Sequence, residues 1–199
     1  MQEEQCTEKT SKSNIMDCLE RFRNSGKVVS LYSDPDNTNK FSCGYILDFD
    51  DTYLLMAHIG PVGEYDGYGT IVLDDIYLVG SDRKYENKIE ILHSFETKKH
   101  IPVKRMVENV ILNLLLFAQN ESLIVVLDLF SSGLDDVQGF VSSIEDDNDT
   151  VTIRTVDEYG EENGSELLSA ANIAHIFVDT RKESAIKKLH DYNLSNSTT

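Results

Sequence analysis

The chain of 199 residues contains no tryptophan, three prolines and three cysteines. The cysteines, Cys6, Cys18 and Cys43, are odd in number and show no CxxC spacing. This usage excludes a disulfide framework and favours thiols that stay reduced in a cytoplasm, with Cys43 as a small core residue.

Long apolar runs are also missing. The most apolar window, residues 110–118, is shorter than the ~20 residues that a membrane-spanning helix needs. The first residues, Met1 to Gln5, are acidic and polar, unlike a secretory signal. These absences predict a cytoplasmic protein with no membrane partner.

Positive charge is scarce, because 18 Lys and Arg face 35 Asp and Glu, for a net charge of -17. Such a surface repels phosphate backbones, so nucleic acid is a disfavoured partner unless a local basic patch opposes the overall field. The acidity either serves solubility alone or attracts a basic protein partner. Two small basic spots, residues 98–105 and 181–188, are expected to be solvated surface rather than phosphate sites.

Local composition predicts the elements of the first half. Ile15, Met16, Leu19 and Phe22 have helical spacing, and Gly26 suits the residue after a helix. Strand composition and turn residues then predict strands at 27–32, 41–49 and 52–59, loops at 33–40 and 60–69, short strands at 70–73 and 76–80, and a short helix ending near His93.

A third helix is predicted to start at Pro102, since proline is favoured at the first helical position. Apolar residues recur at helical spacing from Val103 to Phe117 and cover most of its circumference. A helix that is apolar nearly all round is buried. We expect it to lie between the two halves or against another subunit.

The second half repeats the first. Gly44 and Gly139 are 95 positions apart, and Ile76 and Ile173 are 97 positions apart. The segments 89–93 and 186–190 are also 97 apart, and the turn Asp146-Asp147-Asn148 accounts for a local change of spacing. Anchors that keep their order at nearly one offset predict an internal duplication.

The first half resembles the Sm-like family of small β-barrels. The resemblance lies in Gly44, Ile46, Phe49-Asp50 and Tyr53-Leu54-Leu55, which are similar to the first Sm motif, and in Leu78-Val79-Gly80, which is similar to the second. It implies a mainly β fold of two tandem five-stranded Sm-like or SH3-like barrels, each preceded and followed by a helix. The chain also resembles a two-repeat family of Gram-positive bacteria, which implies a bacterial protein.

The resemblance fails at the residues that read a base in Sm proteins. Leu54 and Val79 stand where that family has an asparagine and an arginine, and the second half has Thr152, Ile176 and Phe177 in the corresponding region. Leucine cannot hydrogen-bond a base edge, and valine cannot replace a guanidinium. The resemblance therefore implies the fold and not the uridine site.

No catalytic residues, cofactor or metal ligands are predicted. The acidic turn Asp48, Asp50 and Asp51 has carboxylates that suit a cation, but it lacks the pattern of a calcium loop and is better explained as a solvated hairpin turn. The five histidines are scattered, and His93 and His190 take equivalent places near the ends of two helices, facing the macrodipole.

The glycine-rich segment 60–69 is the candidate binding region. It lacks the lysine and the following helix of a nucleotide loop. Tyrosines give rigid contact area and glycines let the backbone adapt, so the segment is either a binding loop or an ordinary packed connection. The candidate binding residues are Tyr53, Tyr65, Asp66, Gly67 and Tyr68.

These inferences define one organisation and three functions. Residues 1–13 and 193–199 are expected to be flexible tails around barrels at 14–95 and 102–192. The first function is a non-catalytic binding or scaffold protein that engages a protein partner or self-assembles, since barrel edges can pair with a neighbouring strand. The alternatives are an RNA-binding regulator with an altered base pocket and a small-ligand or metal-binding module.

Overall fold

A computed structural model describes residues 15–130, 137–145 and 150–196, which form one ten-stranded antiparallel sheet and four helices, with a helix at each end. The helices are α1 (15–25), α2 (Lys84–Ser94), α3 (Val110–Asn120) and α4 (Arg181–Asn196). The strands are β1 (Val29–Tyr32), β2 (Ser42–Phe49), β3 (Tyr53–Ile59), β4 (Tyr65–Val72), β5 (Leu78–Ser81), β6 (Ile124–Leu129), β7 (Val137–Ile144), β8 (Thr150–Val156), β9 (Glu162–Ser169) and β10 (Ile173–Val178). The fold is mainly β, as predicted, and no helix in these ranges is long and apolar enough to cross a bilayer.

The strand order runs through the same sequence twice, as β5-β1-β2-β3-β4 followed by β10-β6-β7-β8-β9. The registers agree as well. Tyr53 pairs with Val72 between β3 and β4, and Thr150 pairs with Ser169 between β8 and β9, each residue 97 positions further on. We call the strands up to β5 the first half and those from β6 the second half.

Glycine sets the closest approach between strands in both halves. A Cβ added to Gly44 would lie 1.9 Å from the Ala57 carbonyl oxygen, and one added to Gly139 would lie 2.1 Å from that of Arg154. Only a residue without a side chain allows β2 and β7 to bend this tightly over the next strand. Gly44 and Gly139 therefore have the same steric role in the two halves.

Helix α3 lies between the two halves, as its apolar circumference predicted. It contacts β3 of the first half and β6, β7 and β10 of the second. Val110, Leu114 and Leu115 have no exposed surface and belong to a core that both halves share. A separate, smaller core contains α1 residues and lies inside the first half.

The predicted start of this helix at Pro102 is wrong, since residues 101–109 are not helical. The Asn109 side chain accepts a hydrogen bond from the Leu112 amide at 2.9 Å and caps the helix. The buried Asn113 side chain binds the backbone of Met106 and Val107. Side-chain hydrogen bonds therefore hold the preceding segment in a non-helical conformation despite its helical spacing.

The predicted loop at 60–69 is also shorter than expected. Residues 60–64 form a turn, and β4 begins at Tyr65. Helix α4 continues to Asn196, into the segment predicted to be a tail. The predicted tail 1–13, the turn 146–148 and residues 197–199 lie outside the described residues.

Candidate functional site: the β4–β10 joint and its free counterparts

Four of the five candidate binding residues lie together where the two halves meet. Tyr65, Asp66, Gly67 and Tyr68 belong to β4, which pairs with β10 in a contact that we call the joint. Tyr53 lies on β3 and donates from its hydroxyl to the Ile173 carbonyl at 3.3 Å. All three tyrosines are buried, so these residues contact the other half of the same chain.

Gly67 allows the two strands of the joint to come close. Its φ is +68°, and a Cβ there would lie 2.3 Å from the Val178 carbonyl oxygen and 2.6 Å from the Asp179 carbonyl carbon. Both are backbone atoms and cannot move aside alone. Glycine is therefore required for two independent reasons, conformation and space.

A polar cluster centred on Asp179 closes one end of the joint. Asp179 accepts hydrogen bonds from Tyr65 Oη at 2.8 Å, Lys98 Nζ at 2.8 Å and Ser184 Oγ at 2.5 Å. Burial, followed by the Asp179 charge, raises the pKa of Tyr65. Three donors around one carboxylate compensate its loss of hydration. They connect β4, α4 and the linker between α2 and α3 (residues 95–109) at one point.

Sequence reasoning missed Asp179, Lys98 and Ser184. Asp179 follows β10 with φ +54°, and Asp82 follows β5 with φ +56°. A non-glycine residue in this conformation is uncommon. The signal present in the sequence was the spacing: Asp82 and Asp179 are 97 positions apart, the same offset as between Ile76 and Ile173.

Tyr68 and His100 join the linker to β4. The Tyr68 hydroxyl donates to the Ile101 carbonyl at 3.0 Å and accepts from the Ile101 amide at 2.7 Å. Burial raises the pKa of Tyr68 to about 12. His100 Nε2 donates to the Gly67 carbonyl at 3.0 Å, and its ring centroid lies 4.4 Å from that of Tyr65.

Two histidines near the joint are held neutral. Burial, assisted by the charge of His100, lowers the pKa of His58 to about 4. Burial also lowers the pKa of His100 to about 4. Among the described residues, His58 Nε2 and His100 Nδ1 are buried without a hydrogen-bond partner, so protonation at either ring would create a poorly compensated charge.

We expect the protein to lose stability as the pH falls from 6.5 to 4. Both histidines have an ordinary pKa of 6.5 and a folded pKa of about 4, so the unfolded chain takes up protons first. Their contribution is complete above pH 6.5 and is lost below it, by up to about 1.4 kcal/mol per pH unit for each residue. Urea unfolding at pH 7, 6 and 5 measures the slope.

The matched variant is His100→Gln, whose amide can still donate to the Gly67 carbonyl but does not titrate. Its free energy of unfolding should fall less steeply between pH 7 and 5 than that of the wild type. A constant difference between the two proteins across this range would contradict the assignment to His100.

The two histidines that the sequence paired take matching places. His93 Nδ1 donates to the Gly63 carbonyl at 2.9 Å, and His190 Nδ1 donates to the Gly160 carbonyl at 3.1 Å. Each imidazole therefore ties a helix to the turn between two strands of its half. His93 lies in the last turn of α2, as predicted, but the prediction is wrong for His190, because α4 continues six residues beyond it to Asn196.

The acidic turn has structural partners. Asp50 accepts hydrogen bonds from the Thr52, Tyr53 and Val110 amides at 2.7–2.9 Å. Asp48 accepts from Arg23 and Arg105, at 2.9 and 3.0 Å. Within the part of the chain that the structure describes, no group of three or more His, Cys, Asp or Glu residues is arranged to hold a metal ion.

Leu54 and Val79, the two positions that the sequence resemblance aligns with base-reading residues of Sm proteins, lie in or against the core of the first half. Leu54 has no exposed surface, and Val79 is half-buried against the same core. Neither offers a polar atom on its side chain. The arrangement supplies apolar packing there rather than recognition chemistry.

The free edge strand β9 carries counterparts of two joint residues. Gly164 occupies the place of Gly67, with φ +85°, and a Cβ there would have no neighbour within 4 Å. Glu161 occupies the place of Glu64. The backbone carbonyl of Glu64 accepts a hydrogen bond from the Gly60 amide, and that of Glu161 accepts one from the Asp157 amide, which closes the turn in each half. Within the described residues no strand pairs with the outer side of β9.

At the opposite end of the sheet formed by the described residues, the edge strand β5 carries counterparts from the other side of the joint. Arg181 binds Glu64 at 2.9 Å, and Lys84 stands 97 positions before Arg181 at the start of α2. Asp82 repeats the conformation of Asp179. Lys84 is therefore the counterpart of Arg181, the basic partner of Glu64. Asp82 is the counterpart of Asp179, whose backbone approaches Gly67.

Side-chain sizes are exchanged rather than repeated. In the joint, the large Phe177 lies opposite Gly69. The counterparts of this pair are Gly80 on β5 and Glu166 on β9, at the two outer edges of the sheet, so the small and the large residue have exchanged strands. The Arg83 guanidinium and Glu86 Oε1 both lie 3.1 Å from the position of a Gly80 Cβ.

Comparison of the chain with protein-family models, with curated proteins and with solved structures found no match.

Proposed function

We propose that the protein is a non-catalytic scaffold that self-associates head to tail, with β9 of one copy pairing with β5 of the next. In this proposal each half is a small barrel of the Sm-like kind, and the internal joint is the template for the contact between copies. The observation that supports it most is the unoccupied space at Gly164, where the equivalent Gly67 is covered by β10.

Charge complementarity favours this pairing. Glu161, Glu162 and Glu166 are exposed along β9, and Glu162 pairs with Arg154 at 2.8 Å. Arg83 and Lys84 are exposed beside β5, as is Asp82, which pairs with Lys27 at 2.7 Å. A copy docked like the internal joint would bring Lys84 to Glu161, as Arg181 meets Glu64. Opposite charges on two ends of one molecule favour head-to-tail contact over contact between like ends.

The contact between copies would be more polar than the internal joint. Tyr65 and Tyr68 of the joint correspond to Glu162 and Ser165 on β9, and β9 is exposed along most of its length. Polar edges resist permanent pairing. The association is therefore expected to be reversible, with a dissociation constant of about 1–100 μM, and to weaken with salt because exposed charges are screened.

Gly164→Ala should abolish self-association without unfolding the protein. The added methyl group meets nothing within one copy, but in the docked arrangement it would meet the backbone after β5 of the next copy. Sedimentation velocity from about 1 to 300 μM should show a concentration-dependent rise in mass for the wild type and a monomer for the variant.

Gly26→Ala is the matched control, since Gly26 also has a positive φ of +61° and no neighbour within 4 Å but lies on neither edge. It should associate like the wild type. Glu161→Lys and Lys84→Glu should each weaken association, and the double variant should restore it. A wild-type protein that stays monomeric at 300 μM would refute the proposal.

A further inference from the structure

A cavity of about 610 Å³ lies beside the joint. It lies between α4, the linker before α3 and the first residue of β4. A volume of this size suits a small organic ligand. The residues of its wall that concern recognition are Tyr65, Lys98, Arg181, Ser184, Lys187 and Lys188.

The wall unites the two basic spots of the sequence. Lys98 comes from the first spot and Arg181, Lys187 and Lys188 from the second, more than 80 positions away. Ser184, Lys187 and Lys188 follow one another at helical spacing and therefore share one face of α4. The basic side chains of the two spots therefore line the same cavity, rather than lying apart on the surface as separate solvated charges.

Acidic groups on the wall are already compensated. Asp179 is bound by three donors, and Asp191 pairs with Lys187 at 3.0 Å. Glu96 accepts the backbone amides of Thr97 and Lys98. Lys188 is exposed and has no ion pair among the described residues. Four cationic and three acidic side chains line the cavity, and Lys98, Arg181 and Lys187 each have a carboxylate partner. Lys188 therefore supplies one uncompensated positive charge, within a chain whose net charge is -17.

We propose that this cavity binds a small phosphorylated molecule through Lys98, Lys188 and Arg181. A small anion suits the site better than a nucleic acid, because the field of the whole protein repels a polyanion far more strongly. Lys98 Nζ lies 4.0 Å from the Tyr65 ring centroid, and His100 stacks on the same ring. The ring is therefore occupied, and charge and hydrogen bonding rather than base stacking hold the ligand.

Calorimetric titration with pyrophosphate, in a chloride buffer, tests the site. The wild type should bind it, and Lys188→Glu should bind at least about tenfold more weakly, the ratio expected for loss of one charge-assisted contact. Lys182→Glu is the control, since it makes the same charge change on an exposed residue of the same helix that does not line this cavity. It should change the affinity by less than about threefold.

Three outcomes would overturn the proposal. The first is no binding heat and no rise in melting temperature at about 10 mM pyrophosphate, a concentration that reveals even millimolar affinity. The second is an equal loss in both variants, which would assign the effect to net charge. The third is that the wild type binds a single-stranded RNA oligonucleotide more tightly than pyrophosphate and that Lys188→Glu abolishes this RNA binding. That result would show that these cations bind nucleic acid.

Discussion

Gly67→Ala is expected to destabilise the protein by about 3 kcal/mol. The left-handed conformation costs an alanine about 1–2 kcal/mol, and forcing a methyl group into close-packed backbone costs about 1–3 kcal/mol more. The atoms that it would strike, the Val178 carbonyl oxygen and the Asp179 carbonyl carbon, belong to the joint. Thermal unfolding should show a melting temperature lower by about 6–12 °C.

Comparison with Gly164→Ala separates the conformational cost of the Gly67→Ala substitution from its steric cost. The residue has the same handedness of backbone and empty space around it, so only the conformational cost of about 1–2 kcal/mol applies. Measured on dilute protein, the difference between the two variants gives the steric cost of opening the joint. Equal destabilisation by both substitutions would show that the strands do not meet at Gly67.

Leu115→Ala should cost about 2–5 kcal/mol, the range for removing a fully buried leucine side chain. Leu115 has no exposed surface and lies in the core that the two halves share. Because α3 contacts strands of both halves, we expect both to lose stability together. Urea unfolding followed by circular dichroism and by tyrosine fluorescence should therefore give one shared transition.

Leu167→Ala is the corresponding change at a site where the leucine is 72% exposed. Its free energy of unfolding should stay within about 0.5 kcal/mol of the wild type, as is usual for surface substitutions. Two separate transitions in Leu115→Ala, or a loss below about 1 kcal/mol, would contradict the shared core.

Periodicity and turn chemistry predicted most of the secondary structure. The strands at 41–49 and 52–59, the helix ending near His93 and the burial of α3 are confirmed. These features depend on residues close in sequence, or on an apolar surface so extensive that burial is its one stable outcome. The start of α3 failed because Asn113 binds the backbone before it, a local contact that spacing cannot reveal.

The residues of the candidate site are visible in the sequence, but their partners are not. The tyrosines and the glycine of Tyr65 to Tyr68 predict a binding loop or a packed connection, and the structure places this segment in β4, which pairs with β10. Glycine and tyrosine suit a binding loop and a tight strand contact equally well. What decides between them is the chain 114 positions later, where Asp179 meets Tyr65, and no local pattern contains that information.

The linker between α2 and α3 has a further geometric consequence. Lys99 donates to the His93 carbonyl, Tyr68 binds the Ile101 backbone and Asn113 holds Met106 and Val107. Hinge bending requires residues whose backbone angles can change freely, and these contacts restrain such residues. The two outer edges of the sheet therefore keep a fixed mutual angle. Copies added head to tail would be related by one constant rotation, and that rotation alone decides between a closed ring and an open helical filament.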